Sequence, residues 1–137
     1  MAAALLGDLL SVLLASYDDL GAFSGRIRVS VPRMVVGEMA TTTLALIVHE
    51  LATNSLKYGA LSLPTGLVDV SCSARDDAVT VVWTGGPPVV QSTAPAGYGT
   101  RLVERSITSA LRGSIQYDWA EDGLVVTLKI NPERLAV

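Results

Sequence analysis

The stretch from about Glu38 to Tyr58, ending in "LALIVHELATNSLKYG", constrains the fold of this chain more than any other. Gly59 suits a helix C-terminal cap, so the spacing predicts one long helix. At about 100° per residue, Leu44, Val48, Leu51, Ala52 and Ser55 form a broad side suited to packing on a sheet. Leu46, Glu50, Asn54 and Lys57 fall within a narrow arc, with Thr43 and Thr53 beside them. A helix of this kind needs a sheet to lie on, and a reason for its polar line.

The rest of the sequence supplies the strands. "GRIRVSVP" alternates Ile27, Val29 and Val31 with Arg26, Arg28 and Ser30, the pattern of a half-buried strand. "GLVDVSCSA" and "AVTVVWT" form two strands around a turn at "RDD", and "GSIQYDWA" and "GLVVTLKI" form a second pair. A helix is predicted from Ala3 to Leu20 and another from about Thr100 to Leu111. Adjacent strands of this kind build a mostly antiparallel or mixed sheet with helices on one face, an α+β two-layer sandwich.

At 137 residues the chain is expected to form a single domain, residues 1–137, with about two-thirds of its unfolded surface buried. Ten Lys and Arg against thirteen Asp and Glu leave no basic stripe, which argues against nucleic-acid binding. One cysteine, Cys72, and one histidine, His49, exclude an internal disulfide and argue against a zinc site. The lone cysteine fits a reducing, cytoplasmic location. The apolar start "MAAALLGDLLSVLLASY" has no basic residue ahead of it and Asp8 within it, so neither a signal peptide nor a membrane span is expected. It reads instead as a buried helix, or one that packs on a further segment.

Two features carry chemistry. On the long helix, Glu50 can orient or deprotonate a nucleophile, the Asn54 carbonyl is a hard ligand suited to Mg²⁺, and Lys57 can neutralise a phosphate. A solvated helix face would give the same spacing. The second feature is the run Gly85–Gly99, "GGPPVVQSTAPAGYG", fifteen residues without periodicity. A connection of that length inside a compact domain is usually functional or mobile. Its last glycines, Gly97 and Gly99, stand before a helix start at Thr100, where backbone N–H groups favour an anion. His49 lies about 100° off the polar line and reads as a partly buried histidine without a chemical role.

"HELATNSLKYGALS", "GGPPV", "GYGTRLVERSI" and "LRGSI…GLVVTLKI" together closely resemble the catalytic ATP-binding domain of bacterial sensor histidine kinases, and within them the HWE subfamily. The resemblance runs from about Leu5 to Ile130. It implies the Bergerat fold, shared with gyrase and chaperone ATPases, and ATP with Mg²⁺ as ligands. It puts Glu50 at the position that orients the reacting γ-phosphate, Asn54 at the magnesium ligand, Lys57 at a phosphate contact and Tyr58 at the ring flanking adenine. Gly85 opens the lid; Gly97, Tyr98, Gly99 and Thr100 match the second glycine box and its helix; Thr127 matches a threonine that assists adenine binding in related ATPases. The implied partners are dimerisation and phosphoacceptor helices and the receiver domain of a response regulator. The phosphoacceptor histidine lies on such an upstream helix and is not His49.

The chain departs from the pattern at "VVWTGGPPV". The subfamily has Trp, one residue, an acidic residue, one more, then Gly-Gly-Pro, and the acid accepts a hydrogen bond from the adenine amino group. Counting back from Gly85, Trp83 stands at the acidic position and Val81 at the tryptophan position. Either two residues are deleted or the acid is replaced. Loss of such a partner costs about 1–3 kcal/mol, enough to move a micromolar affinity toward millimolar. The expected function is the ATP-binding catalytic domain of a two-component kinase, passing the γ-phosphate to a histidine on a separate segment. The alternatives are a pseudokinase-like docking module of a phosphorelay and, against "HELATN", a serine kinase related to anti-sigma factors.

Overall fold

A computed structural model of the chain describes residues 4–18, 27–58, 66–75, 78–86, 98–120 and 123–137. In chain order these form β1 (Ala4–Leu5), α1 (Leu6–Asp18), β2 (Ile27–Ser30), β3 (Val35–Val36), α2 (Glu38–Tyr58), β4 (Leu67–Arg75), β5 (Ala78–Gly86), α3 (Tyr98–Ser109), β6 (Ser114–Ala120), β7 (Gly123–Ile130) and α4 (Pro132–Leu135). Of the sequence-predicted features, Gly59, the "RDD" turn beyond Arg75 and residues 87–97 of the glycine-rich run lie outside the described residues.

The main sheet has the order β2-β4-β5-β7-β6. Its one parallel pair is β2 with β4; β4–β5, β5–β7 and β6–β7 are antiparallel. It is thus the mixed sheet that the sequence predicts. Alternation then decides the two faces. Val70, Trp83, Val126 and Tyr117 lie opposite one another across four strands, as do Cys72, Val81, Leu128 and Ile115. These rows carry the buried face, on which the helices pack. The opposite rows, such as Asp69, Thr84, Val125 and Asp118, form the outer face, with Asp69, Thr84 and Asp118 exposed.

Helix α2 buries Ala40, Leu44, Ile47, Val48, Leu51 and Ala52, a stripe wide enough to lie flat on a sheet. It packs between α1 on one side and α3 on the other, while α3 also meets β6. Helix α3 adds Val103 and Ile107 to the core, and Leu111, just past its end, adds a third side chain. Among the described side chains of α1 only the i, i+4 stripe Leu6, Leu10 and Leu14 is buried, and Val12 is exposed, so this helix is amphipathic rather than buried all round. Burying a Leu or Ile side chain contributes about 1.5–3 kcal/mol, which makes this helix–sheet core the main source of stability.

The C-terminal turn fixes the start of α2. Asn131 caps α4, its side chain accepting a hydrogen bond from the Glu133 N–H at 2.9 Å, with Pro132 in the first turn. The chain then runs past the first turn of α2, where Gly37 N–H donates to Leu135 O and Met39 N–H donates to Val137 O, both at 2.9 Å. These carbonyls satisfy N–H groups that a helix start leaves without partners. A Cβ on Gly37 would collide with the Val137 backbone, so only glycine permits this approach.

Candidate functional site

The polar line of α2 lies on a shoulder of the helix. Ile47, Val48 and Leu51 are buried toward the core, Leu46 and His49 are exposed, and Glu50, Thr53 and Asn54 are half-buried between them. A carboxylate and a carboxamide one turn apart therefore share one partly shielded flank. A fully solvated face would expose both, and this flank exposes neither fully. His49 is exposed rather than partly buried, because its direction on α2 leads away from the sheet.

Lys57 and Tyr58 fall on the last turn of α2, and Tyr98, Gly99 and Thr100 on the first turn of α3; their side chains lie outside the described ones. Gly97 lies outside the described residues altogether. The helix starts at Tyr98, two residues earlier than the glycines suggest. Gly85 is buried near the end of β5, opposite Val68 and Leu124. Its carbonyl lies where a Cβ on Gly123 would be, and Gly123 has φ 135°, a conformation that glycine alone adopts readily.

Thr127 is not brought to this site. It lies opposite Val82 and Gln116, on the outer face of the sheet, while its neighbours Val126 and Leu128 point to the helices. Strand alternation thus directs it away from Glu50 and Asn54, which corrects its expected role beside a nucleotide. Trp83 does the opposite: at the position of the acid it is buried on the helix-facing side, 4 % exposed, in register with Val70 and Val126. β5 pairs without interruption on both edges. The residue expected to read adenine is therefore an indole built into the core, which offers no carboxylate.

One group coupled to this flank carries no signal in the sequence reading. Tyr117, on β6, points to the helical layer, and its hydroxyl is buried with no hydrogen-bond partner among the described residues. Burial, then the carboxylates of Glu104 on α3 and Glu50 on α2, push its pKa up to about 12. The inward parity of Tyr117 was readable from "SIQYDWA", where it shares a face with Ile115; its electrostatic coupling to Glu50 was not. The Cys72 thiol is half-buried against the core and raised in pKa by that burial, which makes it a poor nucleophile. A groove lined by Met34, Val35, Arg75, Val79, Pro132 and Leu135 lies at the other end of the sheet and gathers no comparable polar groups. No group of His, Cys, Asp and Glu among the described residues could hold a metal ion by itself.

Comparison with known proteins gives the family. No family model matches the chain. It is 46% identical over 106 residues to blue-light-activated histidine kinase 1 of Erythrobacter litoralis, a match covering 74% of this chain and 29% of that protein. It is 40% identical over 110 residues to a blue-light-activated histidine kinase of Brucella anthropi, covering 76% and 22%. The chain belongs to the HWE-type histidine kinase ATP-binding domains. Solved structures agree on the fold. The nucleotide-free catalytic domain of histidine kinase ThkA superposes with TM-score 0.72 at 15% identity, over 96% of both chains. The histidine kinase domain of the Erythrobacter litoralis blue-light-activated kinase EL346 gives 0.71 at 18% identity, over 95% of this chain and 60% of that one.

This chain spans less than a third of the length of the curated kinases it matches. As a histidine kinase ATP-binding domain it carries the Bergerat architecture of a mixed sheet with helices on one face. The residue types suit a magnesium ion: half-buried Asn54 offers a carboxamide oxygen and half-buried Glu50 a carboxylate, while the buried Tyr117 hydroxyl has no partner among the described residues. It does not supply the acidic adenine contact at Trp83. No helix among the described residues is long and apolar enough to cross a membrane.

Proposed function

We propose that this chain binds Mg²⁺-ATP between α2 and the segment from Gly85 to Thr100, and positions the γ-phosphate for transfer to a histidine on a separate phosphoacceptor helix. The carrying observation is the shared, half-buried shoulder of Glu50 and Asn54, in a chain 46% identical to a histidine kinase. Asn54 would hold the metal ion, which when bound neutralises charge on the phosphate oxygens. Lys57 and the backbone from Gly97 to Thr100 hold phosphates, Tyr58 flanks the base, and Glu50 orients the reacting groups. In phosphoryl transfer the protein contributes mostly position and charge neutralisation, so these roles suffice without a covalent intermediate on this chain.

The partners that follow are a dimerisation and phosphoacceptor segment and, after it, the receiver domain of a response regulator, in a cytoplasmic phosphorelay. With Trp83 in the acidic position, adenine is held by stacking and shape more than by a charged hydrogen bond, which favours a modest affinity.

Calorimetric titration with ADP and a non-hydrolysable ATP analogue, with Mg²⁺ and with EDTA, tests the reading. Magnesium-dependent binding at micromolar to submillimolar strength is expected, and Asn54→Ala should abolish the magnesium dependence while far-UV circular dichroism stays unchanged. Binding that survives Asn54→Ala undiminished would remove the metal assignment. No binding at millimolar nucleotide would leave a docking module, the role that Trp83 favours.

A further inference from the structure

A base is read by partners of the opposite hydrogen-bonding kind, so what a site can distinguish follows from the acceptors and donors that line it. In the main sheet, alternation puts these groups almost entirely on one side. Asp69, Gln116 and Asp118 are the only residues of the described strands with a carboxylate or a carboxamide, and all three face outward. Every serine and threonine of this sheet also lies on an outward row, Thr127 among them. The helix-facing side of the described strands is left with one side-chain oxygen, the buried Tyr117 hydroxyl.

The backbone holds this parity firmly at the Gly85 end. β5 pairs with β4 from Ala78 to Gly86 and with β7 from Val79 to Gly85, with no residue skipped on either edge. A bulge would be needed to turn an acceptor of β5 inward, and none interrupts the ladder. Trp83 and Gly85 therefore face the helices, with the Thr84 hydroxyl on the far side between them. Trp83 is 4 % exposed, and its indole N–H can donate but not accept.

Adenine carries an exocyclic amino group, a donor, where hypoxanthine carries a keto oxygen, an acceptor. A carboxylate at that place accepts from the first and repels the second, and so selects adenine. An indole N–H cannot accept from the amino group. A hydroxyl donates or accepts, and so serves either ring. A site without a dedicated partner for the group distinguishes its ligands only weakly.

We propose that the nucleotide site of this chain selects a purine but not its exocyclic group, and takes the keto purine hypoxanthine as readily as adenine. The inference rests on the nucleotide site proposed above and names its substrate class. Asn54 and Glu50 act at the phosphate end, which is the same in every such nucleotide. Burial of the ring adds nearly equally for two purines and less for the smaller pyrimidine.

Calorimetric titration of this chain with ADP, IDP and UDP, each with Mg²⁺, is the test. ADP and IDP differ only in the exocyclic group and the ring proton that accompanies it. IDP is expected to bind within about threefold of ADP, and UDP about fivefold or more weaker than either. Thr127→Val is expected to leave the ratio of ADP to IDP affinity unchanged, since its hydroxyl lies on the far face. ADP bound more than about tenfold tighter than IDP overturns the proposal, because an acceptor dedicated to the amino group must then line the site. A ratio that moves more than about threefold in Thr127→Val overturns the parity on which it rests. UDP bound as tightly as ADP overturns the selection of a purine. Discrimination of any of these kinds leaves the magnesium–nucleotide reading standing, whereas failure of all three to bind at millimolar concentration removes that reading and this inference with it.

Discussion

Replacing Gly123 with alanine tests the geometry that holds the end of β5 in place. Gly123 opens β7 with φ 135°, and a Cβ there would overlap the carbonyl oxygen of Gly85. Two costs combine. An L-residue forced into that backbone region is strained by about 1–3 kcal/mol. Relieving the overlap moves Gly85 and its partner Leu124 apart and weakens about one ladder hydrogen bond, a further ~0.5–1.5 kcal/mol. The expected loss is about 2–4 kcal/mol, a large fraction of the ~5–15 kcal/mol that stabilises a domain. With a urea slope of ~2 kcal/mol/M, the unfolding midpoint should fall by about 1–2 M without a change in slope. Urea denaturation followed by tryptophan fluorescence reads this directly, since Trp83 lies two residues from Gly85 on β5. A midpoint within about 0.3 M of the parent would show that the Gly85–Gly123 contact does not constrain the sheet. Because Gly85 opens the segment proposed to cover the nucleotide, its affinity for the magnesium analogue should weaken in parallel.

The remaining predictions follow from burial and parity. Thr127→Val, on the outer face, should leave the nucleotide Kd within about twofold of the parent, while Asn54→Ala should abolish its magnesium dependence, both read by calorimetry. Asn131→Ala removes the cap of α4 and should cost about 0.5–2 kcal/mol in urea denaturation. The pKa of Tyr117 is raised on folding, so the neutral form is favoured in the native state. The stability this represents is fully present below pH ~10, the unfolded value, and is lost as pH rises through about 12. Tyr117→Phe should therefore lose less stability than the parent over that interval, as measured by urea midpoints at successive pH values.

Local pattern made much of this legible. The extent of α2 was readable because a wide apolar stripe ends just before a glycine in the sequence, and the β4–β5 and β6–β7 pairs because alternating runs stand close together in the chain. The two-residue strands β1 and β3 carry too few residues for any period, and α4 needed the Asn-Pro-Glu start to be weighed as a capping signal. Thr127 was misplaced because it was assigned by its position along the strand; counting from Val126 puts it on the far face. Tyr117 on β6 feels the charges of Glu104 on α3 and Glu50 on α2, and no spacing in the sequence announces that coupling across three elements. The burial of Trp83 was likewise readable only once β5 had neighbours on both edges.

The clasp between the C-terminal residues and the first turn of α2 pins one end of a helix that is also packed along its length. That end is held by the bonds from Gly37 and Met39 to Leu135 and Val137, and Asn54 sits near the other. From Met39 to Asn54 the helix is about 22 Å long at ~1.5 Å per residue. A rotation of roughly 3° about the pinned end would swing Asn54 by about 1 Å, a displacement that costs on the order of a hundredfold in rate when reacting groups must align. The last few residues of the chain thus share in setting where Asn54 sits, though they lie at the other end of its helix.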